Sequence, residues 1–414
     1  MNFLTSETKH GMRIATRFFA SILIAVVLFC ACDMVYENLY WYGHSYTPRD
    51  YLGSGWDDFS ITIITCAGVF LISLLLIWKM FKLKWRLITA SSIAVFILGA
   101  FIFNSYQKSI LELYETSEIN LRYYEPFREN TLTKNLDEPA SLSISENLPR
   151  LDGATALYPL YTAFARATYP IAEYKAYDQN SDITCSRTSG AFTKLLNGTV
   201  DLIFLMGVSE EQREQADELG LELLLTPIGK EAFIFFVNKQ NSMSDLSVEN
   251  IMNIYSGHIT NWRDIGGENK EILVYQRPDT SGSQVMLKEI MGNVPIIEAP
   301  EENYYNEMMG MYSAVAYKNH RNALGYSFLY YIRDMIAEDE IKFLSIEGIE
   351  PTATNIASGA YPFAHDVYAI TVVRHDTEDD DEGERIKNTE KLVKWILSPQ
   401  GQSLVEKTGY VPLS

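Results

Sequence analysis

The sequence predicts an α/β body behind an α-helical membrane region. Three observations carry that reading. Charge-free stretches long enough to cross a bilayer lie within the first 107 residues, short apolar runs alternate with amphipathic stretches from Leu148 onward, and the charge changes sign between the two parts. Residues 1–108 hold nine Lys or Arg against six Asp or Glu, a balance of +3, so the chain total of −19 leaves −22 for residues 109–414. So acidic a body argues against nucleic acid as a partner. At 414 residues, 47% hydrophobic and 21% charged, the chain is long enough for more than one domain and too apolar to be disordered.

In chain order, the first block holds fifteen uncharged residues between Arg17 and Asp33, preceded by Lys9, Arg13 and Arg17. A retained helix over about 14–36 is expected, although a cleaved signal peptide shares this pattern and Cys32 would be the residue lipidated in a lipoprotein signal. Residues 59–78 and 87–107 are charge-free runs of twenty and twenty-one, each sufficient at 1.5 Å per residue for a hydrocarbon layer of about 30 Å. Lys79, Lys82, Lys84 and Arg86 between them mark a cytoplasmic loop. Everything after residue 107 is therefore expected outside, in a multi-pass protein of the cell membrane in contact with lipid. None of the three blocks contains an acidic or basic residue that would mark an ion path, so they read as an anchor.

Residues 108–146, with Pro126 and Pro139, read as a helix extension followed by a linker. The body then shows strands at 203–206, 232–237, 272–275 and 367–373, with helices around 164–172, up to Leu196, through Met286 to Ile290, and over 386–397. The acidic run at 378–382 reads as a solvated turn before that last helix. The numerous tyrosines between Tyr304 and Tyr331 read mostly as core or lobe surface. The four cysteines and six histidines lack ligand spacing, so neither metal nor cofactor is expected.

Three strand-to-helix junctions combine glycine with hydroxyl residues, where free N–H groups and the positive helix end favour an anion. The first contains Asp152, Gly153, Ala154, Thr155 and Ala156. The second contains Arg187, Thr188, Ser189 and Gly190. The third contains Arg277, Asp279, Ser281, Gly282 and Ser283, and adds a guanidinium. Each junction alone could be a simple helix cap, and Arg277 with Asp279 a local salt bridge. Converged, they would surround an oxyanion with neutral donors and one positive charge. Hydrolysis fits poorly, because no Gly-x-Ser-x-Gly elbow, phosphate-loop motif or partner base accompanies Ser281 or Ser283. No catalytic residue is assigned.

These junctions, with the run from Pro227 through Gly229, Lys230, Glu231 and Phe233 to Asn238, and the run from Tyr255 through Gly257 and Asn261 to Trp262, resemble the phosphate-binding components of phosphate ABC importers (the PstS type). The resemblance spans roughly residues 148–414. It implies a type 2 periplasmic-binding-protein fold with two discontinuous α/β lobes, lobe one at about 147–230 and 350–414 and lobe two at about 231–349. Two crossover strands, near 226–236 and 344–369, would join them. It further implies that Ala154, Thr155 and Ala156, Thr188 and Ser189, and Arg277, Ser281, Gly282 and Ser283 bind phosphate or a similar oxyanion, with Asp279 orienting the arginine and ABC permease subunits as partners. One departure stands out. The family's aspartate after the strand following the second junction has no counterpart near Met206, Asp201 lies too early, and Glu210 and Glu211 read as a solvated helix start. The expected function is a membrane-anchored extracytoplasmic solute-binding protein. The alternative is a membrane-bound sensor or interaction protein built on the same kind of domain.

Overall fold

A computed structural model describes residues 119–300, 303–318, 322–337, 340–373 and 380–413. The expected membrane helices at 14–36, 59–78 and 87–107 lie outside the described residues. Among the described residues no helix is long and apolar enough to cross a membrane.

The strand β1 (Leu151–Gly153) leads through a short 3₁₀ turn into α1 (Tyr158–Thr168), which has Pro159 in its first turn. Next come α2 (Arg187–Leu196), β2 (Leu202–Leu205) and α3 (Glu210–Glu218). The start of α3 is a capping box, in which Ser209 and Gln212 satisfy each other's backbone N–H. The long strand β3 (Glu222–Asn238) follows, then β4 (Asp245–Leu246), α4 (Val248–Tyr255), β5 (Leu273–Val274) and α5 (Gly282–Met291). Beyond these lie α6 (Met308–Ser313), β6 (Ala323–Phe328), β7 (Ile341–Phe343), β8 (Ser345–Ile346), α7 (Ala353–Ala357) and β9 (Ala364–Val373). The helices α8 (Asp380–Ile396) and α9 (Pro399–Thr408) end the fold.

Seven strands form one path in the order β1, β2, β9, β3, β6, β5, with β7 also on β3, while β4 and β8 pair parallel in a separate two-stranded sheet. What makes two lobes of this path is the length of β3. Its residues from Glu222 to Ala232 pair antiparallel with β9, whereas Phe233 to Phe236 pair with β6 and Phe236 to Asn238 with β7. One strand thus serves two sheets, and the change of partner falls between Ala232 and Phe233. The ladder slips between Pro227 and Gly229. A proline has no N–H to give to a ladder, so a bulge is where it can be accommodated within a strand. Expectation placed the strand at 232–237. Its earlier half was missed because 222–227 is exposed or half-buried, and Pro227 with Gly229 reads locally as a turn.

Each lobe has an aromatic core. Tyr161 stacks on Phe204 at 5.0 Å in the first, with Phe164 edge-on to Trp395. In the second, Phe233, Phe235, Tyr255 and Tyr326 meet at centroid distances between 5.5 and 6.3 Å. Such contacts add about 0.5–1.5 kcal/mol each to the burial of the rings. Asp201, too early to serve as the family's aspartate, is engaged in the fold. Its carboxylate receives Nε and Nη2 of Arg150 at 2.9 and 2.7 Å and Nε of Arg385 at 3.2 Å.

Two segments differ from expectation. Residues 119–146 are not a free linker. Leu121, Tyr124 and Ile144 are buried against the body, Arg166 donates to the Thr133 carbonyl at 2.6 Å, and Trp395 donates to the Ser141 hydroxyl at 3.2 Å. The acidic run is also not a turn throughout. Asp381 and Glu382 lie in the first turn of α8, where the helix dipole favours negative charge.

Candidate functional site

The first junction is organised by Asp152, which is fully buried at the end of β1. Its carboxylate accepts the N–H of Gly153 at 2.7 Å, the N–H and hydroxyl of Ser186 at 2.6 and 2.8 Å, the Thr184 hydroxyl at 2.7 Å, and the Lys194 ammonium at 2.9 Å. These donors satisfy the buried carboxylate, which ties the first junction to the residues that open α2. At Gly153 an added Cβ would lie 2.6 Å from the Phe204 carbonyl, so only glycine lets β1 sit this close to β2. The Ala154 N–H donates to that same carbonyl at 3.0 Å and belongs to the sheet. Thr155 and Ala156 lie in the first turn of the 3₁₀ segment, where N–H groups have no internal acceptor.

The second junction begins at Arg187, whose φ of 64° is left-handed, an unusual conformation for a residue with a Cβ. Thr188 follows half-buried, whereas Ser189 is exposed. The buried Cys185 links this junction to the first, with its sulfur 3.5 Å from the Gly153 carbonyl and 3.9 Å from the Thr155 hydroxyl. Burial pushes the Cys185 thiol up to about 11, so it stays protonated.

At the third junction Arg277 is half-buried, with the Nε of its guanidinium enclosed. Nη1 donates to the Ser283 hydroxyl at 3.0 Å, Nη2 donates to the Asn306 carbonyl at 2.8 Å, and Nε has no hydrogen-bond partner. Among the described residues no carboxylate forms an ion pair with it. Burial therefore acts against its charge and pulls its pKa below the ordinary arginine value. The Arg277 backbone N–H donates to Gln284 Oε1 at 3.1 Å, an oxygen that also accepts the Tyr326 hydroxyl. Ser281 caps α5 by accepting the Gln284 N–H at 3.3 Å, and Ser283 is buried behind it. Gly282 faces the other lobe, where a Cβ on it would stand 2.9 Å from the Thr188 hydroxyl oxygen.

The expected role of Asp279 requires correction. Its carboxylate pairs with Lys288 at 3.0 Å, and its side chain is 73% exposed. Lys288 on α5 reaches back to the turn that holds Asp279, so this acid stands outside the buried setting of the guanidinium. What orients Arg277 is Ser283 and the Asn306 carbonyl. The position of the family's missing aspartate is occupied by the buried, apolar Met206, and Glu210 and Glu211 are exposed in the first turn of α3.

The three junctions therefore meet in pairs, the first with the second through Asp152 and Cys185, and the second with the third through Thr188 and Gly282. Sequence reasoning gave no role to Asp152, Asn306 or Glu307. The Asp152 pattern has a faint signal, an acid at a strand end before a glycine, while Asn306 acts through its backbone and leaves none.

Two α/β lobes that share crossover strands, with glycine-bearing turns from both facing each other beside the half-buried Arg277, have the architecture of a two-lobed solute-binding domain. Residues 145–400 match the PBP superfamily domain, and the chain belongs to that superfamily. Among curated proteins it is similar to the phosphate-binding protein PstS of Bacillus subtilis (strain 168), with 24% identity over 281 residues covering 67% of this chain and 83% of the relative. It is also similar to PstS of Borreliella burgdorferi, with 23% identity over 274 residues covering 64% and 90%. A solved putative phosphate ABC transporter substrate-binding protein with bound phosphate from Clostridium perfringens aligns at 22% identity and a TM-score of 0.47, over 66% of this chain and all of that one.

Proposed function

We propose that the two-lobed domain captures phosphate or a similar inorganic oxyanion outside the cytoplasm and delivers it to an ABC permease, anchored to the membrane by the N-terminal helices. The supporting observation is the Arg277 guanidinium, whose Nε is enclosed without a hydrogen-bond partner and which forms no ion pair among the described residues. An enclosed donor left unpaired is costly, and an oxyanion accepting from it and from neighbouring neutral donors removes the penalty. The donors in this reading are the N–H groups of Thr155 and Ala156, the hydroxyls of Thr188, Ser281 and Ser283, and the Gly282 backbone. Ala154 contributes the turn rather than its N–H, and Ser189 lies at the exposed rim. The curated relatives carry the name phosphate-binding protein, which favours capture over chemistry, and no bond is made or broken in this reading.

Because Met206 stands where the family has its aspartate, no side chain at that position accepts a proton from the ligand. Phosphate and sulfate should therefore compete within about one order of magnitude of each other, since strong selection against an isostere requires a buried group left unpaired by the wrong ligand. Calorimetric titration of the full-length protein with each anion tests this. Arg277→Ala should abolish the heat of binding, and a titration unchanged by that substitution would refute the site. Extraction of the chain from membranes by alkaline carbonate would argue against the anchor.

A further inference from the structure

Arg187 and Glu307 form an ion pair with Nη1 2.9 Å from Oε1. Arg187 opens α2, which packs on β1 and β2 in the first lobe, whereas Glu307 precedes α6, which packs on β6 in the second. Glu307 sits at the N-cap position of α6, yet its side chain makes no capping bond to that helix and is directed to the opposite lobe. It follows Asn306, the residue whose carbonyl holds Nη2 of Arg277. At the other end of the pair, Arg187 has φ 64° and precedes Thr188, the residue that faces Gly282. A non-glycine residue held in the left-handed region is a local strain that the surroundings must offset.

We propose that Arg187 and Glu307 are positioning residues of the anion site, a cross-lobe clasp that holds the turn opening α2 against the segment that orients Arg277 and so sets how long a captured oxyanion is retained. The clasp rests on the oxyanion reading above. Both side chains are partly exposed, 56% for Arg187 and 30% for Glu307, so the clasp is weak by itself and acts on release rather than on encounter.

The test measures the rates of phosphate uptake and release on the full-length protein, by rapid filtration with radiolabelled phosphate. Arg187→Ala and Glu307→Gln should each speed release about three- to fivefold, as expected for a partly exposed pair, with uptake little changed. The double variant should release no faster than either single one, and the exchanged pair Arg187→Glu with Glu307→Arg should recover part of the retention. A merely structural role would not be rescued by exchange. Additive single effects, or unchanged release, would overturn the clasp. Hydrogen exchange without phosphate gives an independent reading, because either single variant should deprotect residues 185–190 and 303–311 together. If Arg187→Ala leaves 303–311 as protected as before, the clasp is refuted. If the unaltered protein takes up no phosphate, the oxyanion reading fails while the exchange measurement still decides the clasp.

Discussion

Glu231 stands one residue before the last pairing of β3 with β9, where the strand passes from one lobe to the other. It is buried, its two oxygens accept the N–H groups of Ala232 at 2.8 Å and Tyr330 at 3.3 Å, and among the described residues no cation pairs with it directly. Burial pushes its pKa up to about 8, with Arg333 opposing and Asp334 reinforcing the shift. An acid whose native pKa lies above its ordinary value holds its proton more tightly when folded. Its contribution to stability is therefore complete below about pH 4.5, declines as pH rises toward 8, and is flat beyond. At ~1.4 kcal/mol per pH unit the loss amounts to a few kcal/mol. Glu231→Gln should flatten the difference in urea-unfolding free energy between pH 5 and 9, and a slope equal to that of the unaltered protein would refute the buried neutral acid. A second residue-scale expectation concerns Asp279. Because its carboxylate pairs with Lys288 on the surface, Asp279→Asn should change phosphate affinity less than twofold, whereas Ser283→Ala, which removes a partner of Arg277, should weaken it by roughly tenfold, as for a hydrogen bond to a charged group. Calorimetry on the two variants separates these outcomes.

Among elements, β1 is tightly constrained, because Gly153 lets it approach β2. Gly153→Ala would force a Cβ against the Phe204 carbonyl, with Tyr161 at 3.0 Å on the other side, and backbone cannot yield as a flexible side chain does. A loss of about 1–3 kcal/mol in unfolding free energy is expected, and a loss below 0.5 kcal/mol would show that the strands can part. At Gly282 the neighbour is the end of a threonine side chain, so Gly282→Ala should fold normally and weaken anion binding instead. Much of this was legible before the structure. The helix from Arg187 ends at Leu196 as expected, β2 is shifted by one residue at each end, and α5 runs one residue past its expected end, because strong apolar periodicity and nearby caps define them locally. The first half of β3 was not legible, since its partner β9 is distant in sequence and its own pattern is half-exposed. The same division runs through the site. Arg277 is visible as a cation in a glycine-bearing turn, but sequence proximity suggested Asp279 as its partner, whereas its actual partners are a buried hydroxyl six residues on and a carbonyl at Asn306. Contacts such as Asp152 with Lys194 or Arg187 with Glu307 depend on which strand ends are brought together, and no local spacing encodes that.

At the scale of the molecule, the charge of −22 on residues 109–414 opposes the ligand proposed for it. A surface field of one sign repels an anion of the same sign at distances beyond the contact shell, so attraction is confined to the Arg277 turn and the donors around it. Added salt shortens the range of both effects, to about 10 Å at 0.1 M, but it acts most on the long-range repulsion, while direct contacts at the partly buried Arg277 are screened less. Phosphate uptake should therefore become faster as sodium chloride is raised from about 10 to 150 mM, the reverse of an electrostatically steered encounter, while release changes less. Rapid-mixing measurements over that range decide the matter. If uptake slows with salt, a local positive potential reaches into solution and the negative surface is not the controlling field. If it quickens, the proposed capture depends on short-range donors at the Arg277 turn and not on the field of the whole surface.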